Sequence, residues 1–493
     1  MRSFKYIESS QYLYIVDDDI YDVGNMYLWA FIVVLAYLLF MLVVGFYAAR
    51  YKVKTAEDLV IAGRRIGLIF AAASLSANNI GGGSTVGVAA RAYGAWGISA
   101  GWYILAASLA MIPVGYVFYY MRKTRAWTLP QVISGRFGPP SHLTTSVLQM
   151  ISLATLTASQ ILASGTIFAA LTGLSFETGV LLATVVTTVY TITGGLWADV
   201  LTDFVQWLII TFGMLIALPF IISNAGGWGS IVARVPPVQL DFFKLGYNNI
   251  LNLFFMYVVS FITGAEMASR ALAAKDERTA LNASILSGVF MGLYAFIPAI
   301  IGIVALAMLP GINPNEAYAK AMLNYTPEPI AGLALAAILA ATMSSADSDM
   351  LGAASIFAVD VWKRYLRKNA SDREILLLTR LGVLVVGVLA AAAALTRFDI
   401  ITVNTFAFML RSAGPFAPFV LGITMKYVTK EAGIAAILVG SIVGVYWRLI
   451  GQPYGIGDIV VGAAASLATF LVVVAIGKAL NRPPAPLPEE FKE

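Results

Sequence analysis

Residues 71–87 read AAASLSANNIGGGSTVG, a polar and glycine-rich interruption inside an apolar segment that extends from 67 to 90. Three consecutive glycines at 81–83 lower the cost of breaking a helix, and Asn78 and Asn79 supply amide donors and acceptors. A broken membrane helix frees carbonyls that an ion or a polar ligand must satisfy, so the run predicts an intramembrane binding site. It lacks the lysine and the preceding strand of a phosphate loop. Close helix packing through the glycines is the alternative interpretation.

The rest of the chain has the composition of a membrane protein. Of its 493 residues, 59% are hydrophobic and 12% are charged, half of the roughly 25% that is usual in soluble domains. A bilayer core requires about 20 apolar residues per helix, and runs of that length predict an all-α polytopic protein with about 13 transmembrane helices. We expect the spans at 26–49, 67–90, 97–120, 143–172, 176–195, 200–223, 247–268, 280–309, 328–358, 375–396, 400–425, 432–450 and 457–479.

The scarcity of reactive side chains excludes most enzyme classes. The absence of cysteine excludes disulfides and thiolate chemistry, and the single histidine, His142, excludes multi-histidine metal centres. The acidic run at 17–19 precedes the first span and has no helical partner motif, so it does not predict a magnesium-diphosphate enzyme. We therefore expect a protein that is not an enzyme and that has no cofactor.

The basic residues indicate how the chain crosses the membrane. With alternating spans, most of the 32 lysines and arginines, Arg270 among them, fall in loops on one side. The positive-inside rule then predicts an outside N-terminus and a cytoplasmic C-terminus. Because these residues are scattered in short loops, they indicate topology and no nucleic-acid partner. At the cytoplasmic face we expect His142 and Asp360 to be solvated.

A polar stripe runs along the ninth span. At about 100° per residue, small and hydroxyl-bearing residues share one face at i, i+3, i+4 and i+7, with Asp347 and Asp349 on the flanks. The stripe consists of Ala341, Ser344, Ser345 and Ser348. Hydroxyl and carboxylate oxygens in this arrangement suit a hard cation such as sodium. The alternative is that the serines only donate hydrogen bonds back to their own helix.

Two carboxylates begin the sixth span. Asp199 and Asp203 are four residues apart and share a helix face, and Asp203 lies deeper in the apolar run. A carboxylate at this depth is costly to ionise without a partner, and no lysine or arginine is close in sequence. The pair predicts a bound cation or a proton, and a structural hydrogen bond is the alternative.

Arg411 lies inside an apolar span. A guanidinium in the membrane must face a cavity or a counter-ion, and it matches a carboxylate bidentately. The residue therefore indicates an anionic or zwitterionic substrate. An internal salt bridge with Asp347, Asp349 or Glu266 is the alternative.

Four segments together resemble the sodium:solute symporter family, whose members have a LeuT-like inverted-repeat fold. They are Ser-Ala-Asn-Asn-Ile-Gly at 76–81 with Ala-Tyr-Gly-Ala-Trp-Gly at 92–97, Gly-Gly-Leu-Trp-Ala-Asp at 194–199 with Thr-Asp-Phe-Val-Gln at 202–206, Ser-Arg-Ala-Leu-Ala-Ala-Lys-Asp at 269–276, and Met-Ser-Ser-Ala-Asp-Ser at 343–348 with Asp-Val-Trp at 360–362. The resemblance covers nearly the whole chain. It implies an extra first helix, two inverted five-helix repeats and two trailing helices.

The resemblance also implies domain boundaries. They are an extracellular segment at 1–25, the extra helix and a cytoplasmic loop at 26–66, repeat 1 at 67–223, an extracellular loop at 224–246, repeat 2 at 247–425, and two helices with a cytoplasmic tail at 426–493.

The family's main sodium site would fall on three carbonyls and two hydroxyls of this chain. They are the carbonyls of Ala77, Ile80 and Ala341 and the hydroxyls of Ser344 and Ser345. A second site in some members would correspond to Asp203, Asp347 and Ser348. Because Asp347 replaces a hydroxyl, a second sodium, a proton, or one sodium in a stronger local field all remain open.

Substrate residues are assigned by resemblance and helical register. They are Asn78, Asn79, Tyr103, Gln160, Tyr257 and Phe261, with Trp102 and Ser260 as neighbours, and Arg411, which family members do not generally carry. The resemblance implies a sodium-coupled symporter in the lipid bilayer that imports a small organic solute by alternating access. A carboxylate or an amino acid is favoured over a sugar, and no obligate protein partner is evident. The alternatives are a proton-coupled carrier of the same fold and a non-transporting membrane sensor.

Overall fold

The computed structural model describes residues 28–52 and 61–486, and the segment predicted at 1–25 lies outside them. Eighteen α-helices and no β-strand are found in these two ranges. The first nine are α1 (Leu28–Lys52), α2 (Leu68–Asn79), α3 (Val88–Tyr93), α4 (Trp102–Lys123), α5 (Leu129–Thr172), α6 (Phe176–Asn224), α7 (Gly227–Arg234), α8 (Tyr247–Ile262) and α9 (Ala265–Ala273). The others are α10 (Glu277–Tyr294), α11 (Ile297–Met308), α12 (Ala317–Tyr325), α13 (Glu328–Ser355), α14 (Asp372–Ala394), α15 (Ile400–Ser412), α16 (Phe416–Thr424), α17 (Lys430–Leu449) and α18 (Asp458–Ala479).

The helices are those of a multi-pass membrane protein. Within the described ranges, eight helical stretches are long and apolar enough to cross a bilayer, and two bent helix pairs bring the number to ten. The all-α prediction is confirmed, whereas thirteen spans stay a prediction. Three predicted spans differ in their bounds. Helix α6 covers both 176–195 and 200–223, and α5, expected at 143–172, begins at Leu129 and bends at Gly138 before two prolines.

Polar residues in the loops fix where several helices begin. The side chains of Asp276, Ser371 and Asp399 accept hydrogen bonds from the backbone N–H groups of Thr279, Glu374 and Thr402. Each satisfies a donor that has no partner inside the helix. These caps lie at the ends of long apolar segments, where the chain turns back toward the membrane.

The predicted break in the second span is present. Helix α2 ends at Asn79, a π-helical turn covers Gly83–Gly87, and α3 continues from Val88. A Cβ atom at Gly81 would lie 2.5 Å from Ser345 Oγ of α13. An alanine here would therefore force the side chains of Ser345 and Gln160 to move.

Two further helix pairs of the described chain are also bent. Helices α8 and α9 meet at a bend of 56° and α15 and α16 at a bend of 43°. The alanine-rich helix α13 packs against α1, α2, α5 and α6, and its residues from Ala334 to Met350 are all buried. Small residues allow this close approach of helices. The packing places the broken helices α2 and α9 against α13, in the interior of the protein.

Candidate functional site

A cluster of oxygens lies between α2 and α13. Ser344 Oγ donates hydrogen bonds to the carbonyls of Ala77 (2.9 Å) and Ala341 (3.0 Å), and Ser345 Oγ donates to Ala341 O at 3.1 Å. Ser345 Oγ also reaches Asn78 O at 2.7 Å. Four of the five residues expected to bind sodium thus meet, and both serines contact the neighbouring helix as well as their own. The fifth, Ile80, is the C-cap residue that follows the last residue of α2.

These oxygens suit a hard cation. Ser344 and Ser345 are buried, and the donor set consists of carbonyls and hydroxyls only. Sodium is held by several such oxygens at once, by the same logic that governs calcium and magnesium sites. The break after Asn79 is what allows backbone carbonyls of α2 to point at side chains of α13.

The second expected ion position contains a guanidinium. Arg270 Nη2 lies 2.6 Å from Asp199 Oδ2 and 3.2 Å from Asp203 Oδ2, and it also hydrogen-bonds Ser348 Oγ. Arg270 Nε donates to Ser74 Oγ at 3.1 Å. The expectation that Arg270 lies in a loop is therefore wrong, because the bend before α9 carries it into the protein, where it is 1% exposed. The two aspartates have a basic partner that was not evident from neighbouring residues.

Ser348 connects the two groups of residues. Its hydroxyl donates to Ser344 O at 2.8 Å and to Asp199 Oδ1 at 3.1 Å, and its backbone N–H donates to Asp347 Oδ1 at 2.7 Å. Asp347 is buried and lies next to the oxygens of the first group in sequence. A change of charge around Asp199 would therefore affect the oxygen cluster between α2 and α13 through the hydroxyl of Ser348.

A small cavity of about 40 Å³ adjoins the oxygen cluster. Six of the seven residues expected to bind substrate line it: Asn78, Asn79, Tyr103, Gln160, Tyr257 and Phe261. Ser345 also lines it, so the cavity and the oxygen cluster share a wall. This volume is below the roughly 300–1,000 Å³ of small-molecule pockets, so the cavity would have to widen to hold a solute.

The cavity is partly aromatic. The ring of Tyr257 lies 5.4 Å from that of Tyr103, 5.0 Å from Phe261 and 6.1 Å from Phe408. On the opposite wall, Gln160 Oε1 accepts a hydrogen bond of 2.6 Å from the backbone N–H of Gly82, within the break. Gln160 thus helps to hold the unwound segment.

Arg411 is not among the residues that line the cavity, but it pairs with Glu266, which is. Its Nη1 and Nη2 lie 2.5 Å and 2.7 Å from the two carboxylate oxygens of Glu266, and Nη2 is 3.3 Å from Ser260 Oγ. Both charged side chains are buried, and Arg411 is fully so. This is the internal salt bridge left open above. A direct contact between Arg411 and a solute stays a prediction.

Sequence reasoning did not assign several lining residues to the solute site, among them Asp349, which was expected only to flank the polar stripe, and Asn404 and Phe408. Asn404 is a lone amide in the apolar segment of α15, which is the one signal that could have found it. Phe408 carries none. Trp102, placed near the substrate by register, instead donates its indole N–H to Phe242 O at 2.8 Å.

The contact between α5 and the π-helical segment Ile356–Leu366 also differs from expectation. His142 and Asp360 are both fully buried, and His142 Nε2 lies 2.9 Å from Asp360 Oδ1. The other ring nitrogen is 3.0 Å from Tyr365 Oη. The expectation that both residues are solvated is wrong, because the two segments pack face to face and each supplies the other's polar partner.

Comparisons with known proteins agree on one family. A family model described as Sodium:solute symporter family matches residues 59–440. The sodium/proline symporter of Escherichia coli is 27% identical over 482 residues, covering 93% of this chain and 94% of that protein. Its counterpart in Staphylococcus aureus is 25% identical, covering 91% and 93%.

Solved structures agree on the fold. A sodium-coupled sialic acid symporter in a substrate-bound outward-open state superposes with a TM-score of 0.78 at 22% identity, covering 94% of this chain and all of that one. A nucleobase-cation-symport-1 family transporter in a closed conformation has a TM-score of 0.58 at 15% identity, covering 85% and 95%.

Proposed function

The chain belongs to the sodium:solute symporter family, and from this we propose that it imports a small organic solute together with sodium, a carboxylate or an amino acid in preference to a sugar. It is a sodium-coupled secondary transporter and not an enzyme. Its relatives named as sodium/proline symporters support an amino acid as the solute. The solute would move by alternating access, in which broken helices rearrange around a central site.

The observation that carries this proposal is the position of Ser345. Its hydroxyl belongs to the oxygen cluster and its side chain lines the cavity. A sodium ion at Ala77, Ile80, Ala341, Ser344 and Ser345 would therefore complete one wall of the solute site. Coupling requires that sodium bind one conformation more tightly than the other, since an ion with equal affinity shifts nothing.

The position of Arg270 favours a stoichiometry of one sodium ion per transport cycle. The candidate second position at Asp203, Asp347 and Ser348 already has a positive charge, because the guanidinium of Arg270 pairs with Asp203 and bonds Ser348. A sodium ion there would have to compete with this guanidinium for the oxygens of Asp203 and Ser348. The same guanidinium reduces the need for a proton on Asp203, which weakens the case for a proton-coupled carrier.

The distribution of basic residues supports an orientation in the membrane, and the family resemblance supports the repeat boundaries. We infer an outside N-terminus, a cytoplasmic C-terminus, and inverted repeats at 67–223 and 247–425. The breaks at 80–82 and 263–264 then lie near the start of each repeat. Equivalent broken helices in the two halves are where transporter sites form.

The test is the thermal unfolding midpoint of the detergent-purified protein, titrated with sodium and with potassium at constant ionic strength and at two pH values. A saturable rise with sodium alone is expected, because a ligand that binds only the folded state stabilises it. Indistinguishable sodium and potassium curves, with stability that follows pH, would overturn the sodium assignment.

A further inference from the structure

Asp349 is a carboxylate that lines the cavity and has no hydrogen bond in the described part of the chain. It follows Ser345 by one helical turn on α13, so both side chains share a face, and both line the cavity. Asp349 is 3% exposed. Unlike the other buried aspartates of α6 and α13, it forms no hydrogen bond or ion pair within residues 28–52 and 61–486. A buried carboxylate in this condition is costly unless a ligand satisfies it.

The second carboxylate of the cavity is already neutralised. Both oxygens of Glu266 accept hydrogen bonds from Arg411, at 2.5 Å and 2.7 Å. Among the lining residues that the structure describes, there is no lysine, arginine or histidine. The carboxyl group that faces the cavity without a hydrogen bond is therefore that of Asp349, and a solute with a positive group would complement its ionised form.

The remaining walls favour the same ligand. Asn404 Oδ1 is buried and has no donor among the described residues, so it offers a second acceptor for an N–H group. The rings of Tyr103, Tyr257, Phe261 and Phe408 supply aromatic surface, which attracts cations through the ring quadrupole. An ammonium group with free N–H bonds can use the carboxylate, the amide oxygen and the rings together.

We propose that Asp349 binds a protonated amine of the transported solute. This inference rests on the proposed function and narrows it: the solute is an amino acid or a similar small amine, and simple monocarboxylates are excluded. The carboxylate of an amino acid would then lie toward the sodium side of the cavity, one helical turn away at Ser345. Two residues on the same face of α13 would thereby contact the two charged groups of the solute.

The experiment compares matched pairs of probes in saturating sodium. L-proline is paired with cyclopentanecarboxylate and L-alanine with propionate, so that each pair differs in the amine. Binding to the purified full-length protein is measured by thermal shift and by calorimetry. We expect an amino acid to bind and its partner to fail. Asp349→Asn should weaken amino-acid binding by about tenfold or more, since hydrogen bonds to charged groups contribute about 1.5–3 kcal/mol.

The sodium response separates the possible failures. In Asp349→Asn the rise of the unfolding midpoint with sodium should persist, which shows that the variant is folded, and Asp349→Glu should regain part of the binding. The exposed Asp372→Asn is the matched control and should bind as the wild type does. Three results would overturn the inference while the unfolding midpoint still rises with sodium. They are equal binding of the carboxylates and the amino acids, no binding of either amino acid, and normal binding of proline by Asp349→Asn. Loss of the sodium response in the wild type would instead contradict the proposed function.

Discussion

Glu266 and Arg411, 145 positions apart, form a bidentate ion pair that joins the two bent helix pairs at their bends. Glu266 lies in the first turn of α9, after the α8–α9 bend, and Arg411 lies in the last turn of α15, before the α15–α16 bend. Because both side chains are buried, the pair fixes the relative position of two segments that line or support the cavity.

Breaking this pair from one side should destabilise the protein. Glu266→Gln leaves a buried guanidinium without its counter-ion, which costs about 3–5 kcal/mol in comparable cases. Urea or thermal unfolding in detergent would show a large drop in the midpoint. The double variant Glu266→Gln with Arg411→Gln should be less destabilised than Glu266→Gln alone, because no unpaired charge remains. Equal losses in both would contradict this account.

Ser345 should govern sodium affinity. Its hydroxyl contacts the carbonyls of Asn78 and Ala341, at the junction of α2 and α13. We expect Ser345→Ala to weaken the sodium-dependent rise in the unfolding midpoint by about tenfold or more in concentration, since one ligand oxygen is lost. Ser146→Ala is the control, because that hydroxyl donates only to its own helix, at His142 O. Unchanged sodium affinity in Ser345→Ala would refute the assigned site.

The stoichiometry of sodium should depend on Arg270. In the wild type, we expect one sodium per transported solute and a Hill coefficient of about one. Arg270→Gln leaves Asp199 and Asp203 without their cationic partner. The folded fraction of this variant should then bind an additional cation and show a steeper sodium dependence. A wild-type Hill coefficient near two would show that Arg270 does not replace a second sodium.

The parts of the site that depend on local chemistry could be predicted from the sequence. The break after Asn79 follows from three glycines in an apolar run, and the positions of Ser344 and Ser345 follow from helical periodicity. The family resemblance then predicted that α2 and α13 contact each other at these residues. The structure brings Ala77, Ala341 and both serines together.

The parts that depend on the path of the chain could not be predicted. Arg270 stands beside an apolar run and so resembles a loop residue, but the bend after Ile262 carries it to two aspartates of α6. Asp360 resembles a solvated helix end because basic residues follow it, yet His142, 218 positions away, is its partner. Phe408 has no sequence signal, because an aromatic residue in a membrane helix can face lipid or a cavity equally well.

Acidification should weaken the cap of α15. Although partial burial raises the pKa of Asp399, hydrogen bonds from Thr402 and the charge of Arg91 outweigh it and hold that pKa below its ordinary value. A carboxyl whose pKa is lowered by folding contributes stability that is present above its unfolded pKa and is lost as the pH falls through the folded value. The temperature of the unfolding midpoint should therefore decrease when the pH is lowered below about 4. Asp399→Asn should show a smaller fall over the same range, and equal slopes would contradict the assignment.

Gly81 should tolerate no side chain. A Cβ atom there would lie 2.5 Å from Ser345 Oγ and 2.9 Å from Gln160 Oε1, so Gly81→Ala forces the Ser345 hydroxyl away from the carbonyls it contacts. We expect loss of the sodium response with a folded helical spectrum retained. Gly135→Ala is the matched control, because nothing lies within 4 Å of its added Cβ and the residue is helical. It should be neutral or stabilising by about 0.4–1 kcal/mol. A normal sodium response in Gly81→Ala would show that the ion does not depend on Ser345 in its present position.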